Sequence, residues 1–344
     1  MSKKILSILL MVIMVVSLAA CGQEAPAAPE QSSQSVPTQS AAPASETPEP
    51  EDDKLVVGFA QIGQESGWRD AETWSILNAA EELGVDLKFS DGQQKQENQI
   101  KAIRSFIAYQ VDVIAFAPIV KTGWDNVLSE AKAAGIPVIL TDRTIDTDDE
   151  SLYTCYIGSD FITEGLMAGD FLKKKFSESN ETINIAELLG TVGAAPALGR
   201  SEGFREAIKD DPRFHIICSQ SGDFMRSKGK EAMTGILKYY DDIDVLYSHN
   251  DSMTLGAIEA MEEAGISPGE DIVIITIDGE QEAVDALKAG EINCIVECDP
   301  MLGPTIMDTA KKIKEGEQVP RNIYSKDNIY TEWDDLNEIP PRGY

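Results

Sequence analysis

A chain of 344 residues with 59 acidic against 29 basic side chains carries a formal charge of −30, a field that repels phosphate and excludes nucleic acid as a partner. Setting aside the two lysines of the first twenty residues and the seven acids of the segment that follows leaves −25 on residues 54–344, a stretch too long for one ordinary core and suited to two domains. With two histidines, and with cysteines beyond Cys21 only at 155, 218, 294 and 298, no spacing reads as a metal framework, so no metal and no cofactor is expected. An even number of cysteines outside the cytoplasm permits disulfides; a chain of this size does not need them, and buried free thiols are the expected state.

In chain order, residues 1–20 carry Lys3 and Lys4, an apolar run too short for a membrane span, and Leu18-Ala19-Ala20 before Cys21. This predicts a signal peptide, and the small pair before Cys21 resembles the lipobox of bacterial lipoproteins, which implies lipidation of Cys21 and an anchor to the outer face of the cell membrane. The alternative is an ordinary secretory signal with an incidental cysteine. Residues 22–53 are mostly Pro, Ser, Ala, Gln and Glu, with one Val and no aromatic residue. They cannot bury enough apolar surface to offset their ordering entropy, and 21–53 reads as a disordered tether.

The strand LVVGFA at 55–60 reads as covered on both faces. It runs into Gln61, Gln64, Glu65, Ser66, Trp68 and Arg69, which read as an exposed polar loop at the carboxyl end of the strand, where open α/β sheets place ligands. An indole beside amides, a carboxylate and a guanidinium suits a polyol; alternatively Trp68 covers a helix N-terminus. A helix follows over about 71–83, then a strand at 85–90, a helix at 98–109 with Ile100, Ile103, Phe106 and Ile107 on one face, a buried strand at 111–118, a helix over about 124–134, and strands at 136–142 and 151–158. The rhythm repeats with strands at 182–190, 215–220, 244–250, 271–279 and 293–299. Two such halves predict an α/β protein of two doubly wound, parallel-sheet lobes.

Gly190, Gly193 and Gly199 have neither dinucleotide nor Walker spacing, and GQESG at 63–67 places its Ser one position too late for a nucleophile elbow, so an enzyme is disfavoured. What recurs at strand ends is a polar cluster: Gln61 to Arg69, Asp142-Arg143, Arg200, Asn250-Asp251 and Asp278. Carboxylates and guanidiniums together match sugar hydroxyls, each of which donates and accepts. The pattern points to binding without chemistry.

The runs VGFAQIGQESGWR, DGQQKQENQIKAIRSF (91–106), TDR (141–143), ELLGTVGA (187–194), SQSGDFMRSKGKE (219–231), SHND (248–251) and IDG (277–279) resemble the ribose/galactose branch of ABC-transporter solute-binding proteins, and within it the binders of galactofuranose. The resemblance covers nearly all of 54–344. It implies a type I periplasmic-binding fold with a three-segment hinge, lobe one at 54–157 plus 300–325 and lobe two at 158–299 plus 326–344. It also implies a ligand set: Gln61, Glu65, Trp68, Arg69, Asp142 and Arg143 from lobe one, and Arg200, Asn250, Asp278 and Phe224 from lobe two. Phe224 could instead be a lid on the core, Asp278 a helix cap and Asp142-Arg143 a local ion pair, while Asp251 is expected to cap the helix starting at Ser252. Gly199, where the family often has a larger residue, puts the shape of that loop in doubt. The final segment, NEIPPRGY, has too many prolines for a helix and is expected to lie across lobe two.

The implied function is capture of a monosaccharide, a furanose such as galactofuranose, by a monomer that delivers it to the membrane permease of an ABC importer. A binder of ribose, arabinose or a pyranose is the alternative ligand reading. A transcription repressor of similar fold would carry a basic helix-turn-helix where the leader and acidic tether stand, and a sensor coupled to a receptor or kinase would differ only in partner.

Overall fold

The computed structural model describes residues 54–344; the signal peptide, Cys21 and the tether lie outside the described residues. The first part of the chain runs β1 (Val56–Gln61), α1 (Gly67–Glu82), β2 (Asp86–Asp91), α2 (Gln96–Tyr109), β3 (Val113–Phe116), α3 (Asp125–Ala133), β4 (Val138–Thr141) and β5 (Cys155–Gly158). It continues with α4 (Phe161–Lys175), β6 (Ile183–Leu189), α5 (Ala195–Ile208), β7 (Phe214–Ser221), α6 (Arg226–Tyr239), β8 (Val245–Ser248), α7 (Asp251–Glu263) and β9 (Val273–Asp278). The last elements are α8 (Gln281–Ala289), β10 (Cys294–Glu297), α9 (Gly303–Lys314), β11 (Asn322–Tyr324) and β12 (Ile329–Thr331).

The strands form two six-stranded sheets with one topology, β11-β5-β4-β3-β1-β2 and β12-β10-β9-β8-β6-β7, parallel except where β12 runs against β10. Strands β3, β4, β5, β8, β9 and β10 are buried along their whole length, as parallel strands sandwiched between helices must be. Each sheet carries an apolar cluster on each face, so the hydrophobic core is divided into four. These are the two doubly wound lobes expected from the alternating apolar runs, and together they make the type I periplasmic-binding fold that the resemblance implies. In each sheet the strand order reverses beside the first strand, between β1 and β3 and between β6 and β8, and such switch points open a crevice at the carboxyl ends of the strands.

The chain passes between the sheets three times, at β5 to α4, β10 to α9 and β11 to β12. Side chains bind these passages to one another: Ser159 Oγ lies 2.8 Å from Ser325 Oγ and 3.3 Å from Cys298 Sγ, and Asp299 N donates to Asp327 Oδ1 at 3.4 Å. The C-terminal segment crosses lobe two without helix, with Ile339 in a core cluster and Gln281 N donating to the Tyr344 carbonyl at 2.7 Å. Cys155, Cys218, Cys294 and Cys298 are free thiols, and Cys218 is only half-buried. Among the described residues no helix is long and apolar enough to cross a membrane.

Candidate functional site

The stretch after β1 is not an exposed loop. Ser66 caps α1 by accepting from Arg69 N at 3.2 Å, so the helix starts at Gly67, four residues before the position read from sequence, and Trp68 and Arg69 ride on its first turn. Glu65, Trp68 and Arg69 are buried, and Trp68 belongs to an apolar cluster made otherwise of lobe-two residues such as Phe161, Phe171 and Val296. Its indole Nε1 donates to the Cys298 carbonyl at 2.6 Å. Trp68 therefore sits in the first turn of a helix and lines the cleft.

A cavity lies between the lobes, lined by Glu65, Trp68, Arg69, Asp142, Arg143, Arg200, Phe224, Asn250 and Asp278 together with Ser66, Pro196 and Cys298. Nine of the ten residues singled out from sequence thus converge on one space. Gln61 does not line it: its amide nitrogen donates to Glu72 Oε2 at 3.1 Å and Thr73 Oγ1 at 3.0 Å, so it supports α1 from behind. Phe224 is placed by a backbone at φ 63°, after Asp223 at φ 51°, and its ring lies where a Cβ on Gly190 would be, 1.9 Å from Cζ. Only glycine fits at 190. Asp142 and Asp278 also sit at positive φ, 56° and 128°, and strained backbone of this kind gathers at functional sites.

In lobe one, Arg69 pairs with Glu65 Oε1 at 3.1 Å and, more closely, with Glu72 and Asp142, while Arg143 reaches Glu65 Oε1 at 3.1 Å and the Ile119 carbonyl at 3.2 Å. Burial works against the charge of Arg69, but Asp142, Glu72 and Glu65 outweigh it and its pKa is raised; for Arg143 burial wins and the pKa is lowered. In lobe two, Arg200 donates to Glu164 Oε2 at 2.6 Å, to the His249 carbonyl and to Asp278 Oδ1 at 3.5 Å. Burial, opposed by the neighbouring guanidiniums, pushes Glu72 and Glu164 up to about 7 and Asp278 well above the carboxylate range. Five carboxyl groups thus surround three guanidiniums. Glu65 Oε2, an acceptor, is buried without a hydrogen-bond partner, and Arg143 Nε, a donor, has only the long ion-pair contact to Asp142 Oδ2 at 3.4 Å.

Sequence reading did not single out Glu72 or Glu164. The first stands three residues after Arg69 on the same helix face, a spacing that could have found it; the second is 36 positions from Arg200 and has no local signal. The helix after β8 is capped by Asn250, which accepts from Met253 N at 3.1 Å, and not by Asp251. Asp251 instead accepts from Gly279 N at 2.6 Å and Glu280 N at 2.7 Å, fixing the turn after Asp278. His249 is buried against Glu187 behind Arg200, and no group of three His, Cys, Asp or Glu is arranged for a metal among the described residues. Burial pushes the Cys298 thiol well above its ordinary value, so the sulfur in the cavity is a neutral thiol.

Residues 57–318 match a family described as the periplasmic binding protein domain. The chain is 47% identical over 297 residues to the galactofuranose-binding protein YtfQ of Escherichia coli, covering 84% of this chain and 93% of that one. Among solved structures, a protein from Mycobacterium smegmatis in complex with β-D-fucofuranose is 52% identical with a TM-score of 0.80, covering 81% of this chain and 91% of its own. The periplasmic binding component of the arabinose ABC transporter from Shewanella sp. ANA-3, bound to α- and β-L-arabinofuranose, is 45% identical with a TM-score of 0.78, covering 81% and 92%.

Proposed function

The chain belongs to the periplasmic binding protein domain family, and on that premise we propose that it is the solute-capturing component of a bacterial ABC sugar importer, closing two lobes over one monosaccharide in its furanose form and delivering it to a membrane permease. The observation that carries this reading is the lining of the space between the lobes, three guanidiniums interleaved with carboxylates and an amide. Such a lining matches a small ligand whose every polar group both donates and accepts, which is the description of a neutral sugar. Glu65 Oε2, buried without a hydrogen-bond partner on a lining residue, is an acceptor that a sugar hydroxyl would satisfy.

Both aromatic walls carry a guanidinium, Arg69 at 4.8 Å from the Trp68 centroid and Arg143 at 5.2 Å from that of Phe224. Stacking of a flat pyranose between two free ring faces is thereby disfavoured, and charged partners reaching a puckered ring and its exocyclic diol are favoured. The ligands named for the fucofuranose- and arabinofuranose-bound relatives support the same choice. The nine cavity residues singled out from sequence are the proposed contacts, no bond of the sugar is made or broken, and the protein acts as a monomer. Lobe one comprises 54–157 and 300–325, and lobe two 158–299 and 326–344. Calorimetry with D-galactose, L-arabinose, D-fucose, D-ribose, D-glucose and D-fructose tests the ligand class. The tightest binding is expected from a sugar that forms a furanose in water; tighter binding of D-glucose than of all others would overturn the furanose reading.

The protein works outside the cytoplasmic membrane, held there through lipidated Cys21 with residues 22–53 as the leash. Cys21→Ala should move it from the membrane fraction to the soluble one, and retention of that variant with membranes would refute the anchor.

A further inference from the structure

Helix α1, which carries Trp68 and Arg69 into the cavity, is capped by both lobes. Ser66, in lobe one, takes Arg69 N at 3.2 Å; the two preceding donors go to lobe two, Trp68 N to Glu280 Oε1 at 2.9 Å and Gly67 N to Ser252 Oγ at 3.4 Å. Glu280 occupies the N-cap position of its own helix, α8, yet makes no cap bond there. Its carboxylate reaches across the cleft, accepts from Ser252 Oγ at 3.2 Å as well, and is held in that direction because Asp251 grips the Glu280 amide at 2.7 Å. Contact is so close that a Cβ on Gly67 would lie 2.7 Å from Glu280 Oε2. Glu280 does not line the cavity, and no ligand contact is assigned to it.

A carboxylate on a helix N-terminus is stabilised by the unsatisfied N–H groups and by the helix dipole. Here donor and acceptor belong to different lobes, so the bond exists only when the lobes are together. Parted lobes return Gly67 N and Trp68 N to water, and Glu280 with them. We infer that Glu280 is a positioning residue for ligand capture: by completing the cap of α1 across the cleft it stabilises the closed form over the open one and slows release of bound sugar. The inference rests on hinge closure as the working motion of the proposed function. It assigns the effect to dissociation because sugar enters an open cleft, while the ligand-free protein exchanges between the open form and the closed, capped one.

Stopped-flow binding of D-galactose and small-angle scattering of the ligand-free protein test this together, on the parent, Glu280→Ala, Glu280→Gln and Gly67→Ala. Glu280→Ala should raise koff about 10-fold, the size of one charge-assisted hydrogen bond, with kon within about twofold. Glu280→Gln keeps an acceptor and should recover part of the loss. Gly67→Ala keeps residue 280 a glutamate but pushes its carboxylate off the helix, so it should reproduce the rise in koff without replacing any cavity residue. The ligand-free radius of gyration should increase for Glu280→Ala and Gly67→Ala. An unchanged koff and radius of gyration for both, or a loss confined to kon, would overturn the inference. Because scattering contains no sugar, it decides the role of Glu280 even if D-galactose proves not to bind.

Discussion

Replacing Arg200 with methionine should abolish sugar binding and remove a large part of the protein's stability in one step. Arg200 is the sole cation hydrogen-bonded to Glu164 among the described residues, and it also donates to Asp278 and to the His249 carbonyl. Without it Glu164 stays buried with no counter-charge and Asp278 loses a donor, which typically costs about 3–5 kcal/mol. At about 2–4 °C per kcal/mol for a chain of this order of size, the thermal midpoint should fall by roughly 10 °C. Affinity should fall by roughly 100-fold or more, since the ligand loses a buried charged donor. The double variant Arg200→Met/Glu164→Gln separates the two effects. Glutamine removes the stranded acid, so the midpoint should recover while affinity does not. Scanning calorimetry and sugar titration of both variants check this. A single variant that melts like the parent would contradict the ion-pair assignment, and a double variant that regains affinity would take Arg200 out of the binding site.

Asp142→Asn should do the reverse, weakening binding strongly with little change in stability. Asp142 sits at φ 56°, a conformation that asparagine tolerates far better than alanine, so the fold should survive the exchange. What disappears is the negative charge shared by Arg69 and Arg143. Those guanidiniums are then less well fixed, and a sugar hydroxyl finds an amide where it had a carboxylate. An expected loss of about 2–4 kcal/mol is roughly a 30- to 1000-fold rise in Kd. Calorimetry showing an unchanged Kd would remove Asp142 from the contacts.

The sheets were legible because their strands are short apolar runs such as VIAF and VILT, and alternation with amphipathic stretches leaves little choice but parallel layers. The cleft was legible because its charged residues stand where strands end. Less visible was anything produced by closure. Glu65, Trp68 and Arg69 look like a solvated loop in the sequence yet are buried in the fold, and a Gly at position 67 read as loop although it opens a helix. Gln61 has the chemistry of a ligand contact, but its strand-end position aims it at Glu72 behind the helix. Glu164, Glu187 and Glu280 act through partners 36, 62 and 212 positions away, separations that no local pattern encodes.

The ring form of the captured sugar is the most direct measure of the proposed function. D-Galactose enriched with carbon-13 at its anomeric carbon, mixed with the purified protein and observed by NMR, reports whether the bound molecule is a furanose or a pyranose. In water the furanose is the minor form, so selective capture draws on a small population and lowers apparent affinity accordingly. Furanose capture predicts a bound anomeric signal in the furanose range, lost in Asp142→Asn. A bound signal from the pyranose alone would contradict it.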